Sequence, residues 1–284
     1  MSINYDLLNL KDKTAVITGG AGVLGASICD SLAIAGLKIA ILDINKKAAD
    51  ITANRISNRK GAICLGVEAD VLNKESLNEA KRIVNEEFGL VDILINGAGG
   101  NSPKATTKLE NFTLDNINDP DAGFFGLDIE AFRYTFDLNF IGTLIPSMVF
   151  SKDMINIGKG NILNLSSMSA YHPLTKVPAY SAAKSSINNF TEWLAVHLAK
   201  TGIRVNAVAP GFFLTTQNEF LLTEKKSGKL TKRGKKILNN TPMNRFGKPK
   251  ELHGTVLYLI SDMSEFITGV VIPVDGGFNA FCGV

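Results

Sequence analysis

Tyr180-Ser181-Ala182-Ala183-Lys184 sets a phenol four residues before an ammonium group. On a helix, positions i and i+4 share one face, so both groups can address one site. The chemistry open to such a pair is proton transfer at a carbonyl or alcohol oxygen. Free tyrosine titrates near 10, and lowering that by about three units takes roughly 4 kcal/mol of differential stabilisation. A neighbouring lysine charge would be one source. A Tyr–Lys pair is also common surface decoration, so it needs company. Ser167 stands thirteen residues earlier, in NILNLSS. Asn139 lies in YTFDLNFIGTLIP, where a buried amide needs partners and could equally be a satisfied core amide.

A second chemistry is written in TGGAGVLG at 18–25. Gly20, Gly22 and Gly25 satisfy G-x-G-x-x-G, whereas Thr18, Gly19 and Gly25 satisfy T-G-x-x-x-G-x-G with Val23 at its middle glycine. Under either pattern, small residues let the backbone approach a pyrophosphate and the following helix offers free N–H groups. Gly19, Gly22, Val23, Leu24 and Gly25 are thus candidate dinucleotide contacts. Asp43 follows Gly25 by eighteen residues, near the offset of a ribose-binding acid, although a strand-terminal Asp would look the same. Its carboxylate would accept from ribose hydroxyls and repel a 2′-phosphate. Lys46 and Lys47 keep NADP open, and the expectation is NAD(H). Asp70, with Val71, is placed at an adenine pocket or as a helix cap. Asn96-Gly97-Ala98-Gly99 would let a cofactor lie close to the backbone, as would a plain turn.

Short β-branched runs must position these groups: 14–18, 37–42, 62–67, 91–95, 161–165, 203–208 and 270–274. Runs that are apolar throughout suit a parallel sheet covered on both faces. Between them lie amphipathic stretches such as 73–88, with Leu77, Ala80, Ile83, Val84 and Phe88 at helical spacing. The alternation predicts an α/β fold: a single Rossmann-type, doubly wound parallel sheet of about seven strands with helices on both faces, over 1–284. Two insertions break the rhythm, near 97–127 and 209–247. The second carries EKKSGKLTKRGKK at 224–236, read as a solvated face or as attraction for an anionic substrate or acidic carrier protein.

The 284 residues have a net charge of +3, too small to argue for nucleic acid or a membrane surface. No signal-peptide pattern opens the chain and no apolar run is long enough to span a bilayer. Cys29, Cys64 and Cys282 lack metal-like spacing, so a reduced, cytoplasmic protein is expected. No metal site is expected, because His172 has no second ligand at metal spacing.

Together, TGGAGVLG, NGAG at 96–99, Asn139, Ser167, YSAAK, NAVAPG at 206–211 and VDGG at 274–277 resemble the short-chain dehydrogenase/reductase family over essentially the full chain. The resemblance implies a catalytic set of Asn139, Ser167, Tyr180 and Lys184. Tyr180 would exchange a proton with the substrate oxygen while Ser167 holds that oxygen. Lys184 would lower the Tyr180 pKa and hold the nicotinamide ribose, and Asn139 would position a relay water. Pro210, Gly211, Phe213 and Thr215 would lie along the cofactor. A homo-oligomer, commonly a tetramer, is also implied. NGAGGNSPKATT, SSMSAYHPLTKVPAYSAAK and APGFFLTTQNEFLL resemble the D-mannonate oxidoreductase (fructuronate reductase) branch, implying a hexonate substrate. Gluconate 5-dehydrogenases and oxoacyl-carrier reductases share many of these words, and a non-catalytic dinucleotide sensor is the reading from another class. Lys104, Ser169, His172, Lys176, Gln217, Asn218 and Arg245, all in or beside the insertions, are the candidate substrate contacts.

Overall fold

The computed structural model describes residues 5–214, 222–224 and 229–283. Seven parallel strands form one sheet in the order β3-β2-β1-β4-β5-β6-β7. They are β1 (Thr14–Thr18), β2 (Lys38–Asp43), β3 (Cys64–Glu68), β4 (Ile93–Asn96), β5 (Gly160–Leu165), β6 (Ile203–Pro210) and β7 (Val271–Val274). The expected strands are all present, β1 with the same ends and the others with ends moved by no more than two residues.

β1 shows why these strands read as continuous apolar runs. Ala15 and Ile17 pack on one face with Ile28 and Leu32 of α1 (Val23–Ile34) and Val256 of α8 (His253–Ile260). Val16 points the other way, toward Leu77 and Val84 of α3 (Lys74–Phe88) and Phe150 of α5 (Ile141–Ile157). Successive strand residues alternate faces, and here both faces are covered. α2 (Lys46–Lys60) lies against the first face, with Ala49, Ala53 and Ile56 buried. Caps fix where helices begin: Asn45 accepts from the Ala48 N–H and Asn73 from the Ser76 N–H.

Because β1 is flanked by β2 and β4, the chain reverses its winding direction between β1 and β4. Such a switch point leaves a crevice at the carboxyl ends of the strands. The stretch 97–127 is less irregular than its glycines and prolines imply. It holds 3-10 turns at Pro103–Ala105, Leu114–Asn116, Pro120–Ala122 and Phe124–Gly126, leading into α4 (Ile129–Asn139). In the second insertion, α7 (Lys232–Asn239) is capped by Thr231, and Lys236 pairs with Glu110 of the first insertion at 2.6 Å. Part of the basic run thus ties the two insertions together. Among the described residues, no helix is long and apolar enough to cross a membrane.

Candidate active site

A cleft of about 470 Å³ opens at the carboxyl ends of the strands, with residues following β1, β4, β5 and β6 in its walls. Its floor is backbone. Gly19 sits at φ +62°, and a Cβ there would fall 2.7 Å from the Ala98 Cα. At Gly25 a Cβ would fall 2.4 Å from the Gly19 carbonyl oxygen. Both positions therefore require glycine. Val23 is the first residue of α1 and helical, so it needs no glycine freedom. That answers the choice of pattern: Gly19 makes the turn, Gly25 the close approach, and Val23 is harmless. The Thr18 hydroxyl oxygen accepts from the N–H groups of Gly97 and Ala98, which fastens the two walls together.

Asp43 ends β2 in the cleft wall, where its carboxylate accepts from the N–H groups of Ala21 (3.3 Å) and Asn45 (3.1 Å). Two carboxylate oxygens offer about four acceptor sites. Capacity remains for ribose hydroxyls, and the negative charge disfavours a phosphate. The helix N-terminus, the glycine floor and Asp43 make a cradle into which a dinucleotide fits.

At the other end lie the proton-handling groups. α6 (Pro178–Leu198) starts with a proline in its first turn, where a missing N–H costs nothing. Ala183, Ile187, Phe190 and Leu194 anchor it in the core, and Tyr180 and Lys184 line the cleft. Lys184 Nζ donates to the Leu165 carbonyl at 2.7 Å and stands 5.6 Å from the centre of the Tyr180 ring. Burial without a carboxylate partner pulls its pKa down to about 7. Burial pushes the Tyr180 phenol up from its ordinary value, and a hydrogen bond with Ser167 draws it partly back. The expected lowering by Lys184 is therefore not a property of the protein groups alone. Desolvation of the phenolate is the larger effect at Tyr180.

Ser167 is oriented from behind. Its Oγ accepts from the Ser169 N–H (3.2 Å) and the Ser169 hydroxyl (3.0 Å). A hydroxyl has two acceptor sites and one hydrogen, so what Ser167 presents to the cleft is a donor. Asn139, fully buried at the end of α4, donates to the carbonyls of Gly100 and Thr135, both at 2.7 Å. Its Oδ1 accepts from the Gly100 N–H at 3.3 Å. The amide hydrogens are used on structure, so Asn139 holds the 97–100 loop, and only its oxygens remain for a water.

The family model described as enoyl-(acyl carrier protein) reductase matches residues 19–279. The chain belongs to the short-chain dehydrogenase/reductase family. It is 50% identical to the uncharacterized oxidoreductase UxuB of Bacillus subtilis, over 97% of this chain and 98% of that one. An uncharacterized oxidoreductase of Haemophilus influenzae is 49% identical over 97% of this chain and 96% of its own length. Among solved structures, one from Haemophilus influenzae, provisionally named a D-mannonate oxidoreductase and holding NAD, superposes with a TM-score of 0.92. It is 48% identical, covering 97% of this chain and 98% of that one. This chain is accordingly an oxidoreductase acting on a CH–OH group or its carbonyl counterpart.

Most residues expected from the sequence line this reductase's cleft: Asn139, Ser167, Tyr180 and Lys184, the glycine loop, Asp43, Gly97, Gly99, Pro210, Gly211 and Phe213. Several do not. Asn96 points into the core, donating to Ser147 (3.0 Å) and Asn164 (2.9 Å), because an amide buried at the sheet centre must find partners. Ala98 touches the Thr18 hydroxyl through its backbone, behind the lining. Asp70 accepts from the Leu72 N–H in its own turn, and Val71 packs against Gly142, so both stand outside the lining. Ser169 is fully buried behind Ser167, outside the cleft lining. Arg245 is held bidentately by Glu251 at 2.7 Å, in a separate pocket beyond Phe213. Lys104 is exposed on a 3-10 turn away from the cleft. His172 borders a neighbouring groove, and Lys176 is beside it. Thr215, Gln217 and Asn218 lie outside the described residues. Sequence reasoning missed Gly100, Leu165, Ser166 and Phe212, which line the cleft. Their adjacency to residues already singled out was the available signal.

Proposed function

We propose that this reductase interconverts D-mannonate and D-fructuronate with NAD(H), using Tyr180 as acid and base. One observation carries the proton chemistry: a phenol, a donor-polarised serine hydroxyl and a buried lysine converge on one end of a cleft whose other end suits a dinucleotide. Bound NAD(H) supplies or accepts the hydride. In reduction, Tyr180 delivers its proton to the substrate oxygen as the carbonyl carbon is reduced. Ser167 donates to that same oxygen and fixes its direction. Lys184, with a pKa near neutrality, can pass or hold a proton behind Tyr180 and offers a donor to a ribose hydroxyl. In oxidation the phenolate accepts the alcohol proton, so the raised Tyr180 pKa makes oxidation speed up as pH rises above neutral.

Asp43 and the lack of any arginine from Gly19 to Gly25 favour NAD over NADP. The mannonate reading is supported by the 48% identical, NAD-holding neighbour that bears a provisional D-mannonate oxidoreductase name. Of the basic run that would favour a carrier protein, Lys236 is paired with Glu110. The test is NADH formation by purified protein with D-mannonate and NAD⁺, with D-gluconate and NADP⁺ in parallel. Mannonate-selective, NAD-linked turnover is expected. Silence with D-mannonate, and with D-fructuronate in reverse, overturns the substrate reading.

A further inference from the structure

Beside the cleft lies a groove of about 220 Å³, bounded by the two insertions and the loop that joins Ser167 to Tyr180. Phe212 lines both spaces, so the groove and the cleft adjoin there. Glu110 is its acidic member. Lys236 bonds to that carboxylate, and together with Lys176 and Arg233 it holds Glu110 below the usual carboxylate range. Two cations, Arg233 and Lys236, and one anion, Glu110, line the groove, which leaves one positive charge in surplus.

Arg233 is the cation best placed to use that surplus. It lines the groove on α7, half-buried, and has no ion pair among the described residues. Its platform is firm. Ile237 is buried, and at Gly234 a Cβ would fall 2.3 Å from the Leu222 carbonyl, so α7 sits tightly on the chain beneath it. Next to Thr175 of the groove wall, Lys176 is held at φ +76°, with its carbonyl accepting from the Thr107 N–H at 3.0 Å. A non-glycine residue in that region costs energy and persists only where its surroundings over-determine it.

We infer that this groove holds the carboxylate of the substrate, with Arg233 as its main contact and Lys176 adding positive charge nearby. The inference rests on the sugar-acid reading above. Its chemistry is a planar guanidinium matched to a planar carboxylate, two parallel hydrogen bonds that fix orientation as well as position. Anchoring the acid end selects which hydroxyl along the chain reaches Tyr180. Specificity in this reductase is then set by a residue remote from the reacting carbon.

The test combines kinetics with binding. Arg233→Gln should raise the KM for D-mannonate by about ten- to a hundredfold, leaving the KM for NAD⁺ and the melting temperature unchanged, with partial rescue in Arg233→Lys. In calorimetry on the NADH-loaded protein, D-mannonate, D-gluconate and D-galactonate are compared with D-mannitol, which lacks the acid group. At least one hexonate should bind more tightly than D-mannitol, and Arg233→Gln should erase that advantage. An advantage surviving Arg233→Gln, or no hexonate exceeding D-mannitol, overturns the groove assignment. Arg233-dependent binding of another hexonate without D-mannonate turnover upholds the groove and overturns the mannonate reading. D-Mannonate turnover unaffected in Arg233→Gln does the reverse.

Discussion

The two ends of the cleft are built from different materials. The dinucleotide end is backbone: Gly19, Gly25, the start of α1 and the strand ends of β1 and β4. The substrate end proposed here is made of side chains, with Glu110 and Arg233 on the two insertions and Lys176 on the loop between Ser167 and Tyr180. Backbone sites tolerate few residue types and so leave short, readable patterns. Side-chain sites on loops depend on which stretches meet, and the chain can meet itself in many ways.

The sharpest break in this contrast is at Tyr180, which belongs to the proton-handling end. Tyr180→Phe should lower turnover by about three orders of magnitude while leaving NADH binding intact by fluorescence titration. Activity within tenfold of wild type would remove Tyr180 as the acid. A smaller effect is expected one step back. Ser169→Ala removes one of the two donors that turn the Ser167 hydroxyl toward the cleft, and kcat should fall about tenfold with the KM for NADH unchanged. Ser169→Thr keeps the hydroxyl and should restore most of the loss, which a purely structural role for Ser169 would not predict.

Lys184 links catalysis to stability. Its pKa is about 7 in the folded protein and near 10.4 in an unfolded chain. Between those values the unfolded chain binds more protons, so this residue makes folding more favourable as pH rises through that window. The penalty is largest below pH 7. Lys184→Met carries no such charge, so its melting temperature relative to wild type should be higher at pH 6 than at pH 9. A pH-independent difference would show that Lys184 is not desolvated. The smallest effect is expected at Arg245, whose exposed pairing with Glu251 lies outside the cleft. Arg245→Gln should leave the KM for D-mannonate unchanged, in contrast to Arg233→Gln.

The misplaced residues share a physical cause. Asn96 and Ser169 carry polar groups next to the right motifs, yet each is buried and must satisfy its hydrogen bonds inward. Adjacency in sequence could not tell a residue that faces the cleft from one that braces it. Arg245 and Arg233 look alike as loop arginines; a carboxylate six residues on from Arg245 pairs with it and takes it out of the site. Arg233 was legible only as part of a charge run.

The sequence by itself determined the sheet, its covered faces, the dinucleotide loop and the Tyr180–Lys184 pair. Those depend on local rules: alternation in strands, helical spacing, and positions where only glycine can stand. Only the tertiary structure decided the polarity of the Ser167 hydroxyl, the commitment of Asn139 to its loop and the meeting of Glu110 with α7. Each of these is a contact between segments distant in the chain, or a direction imposed by burial, and neither is written in any one stretch of residues.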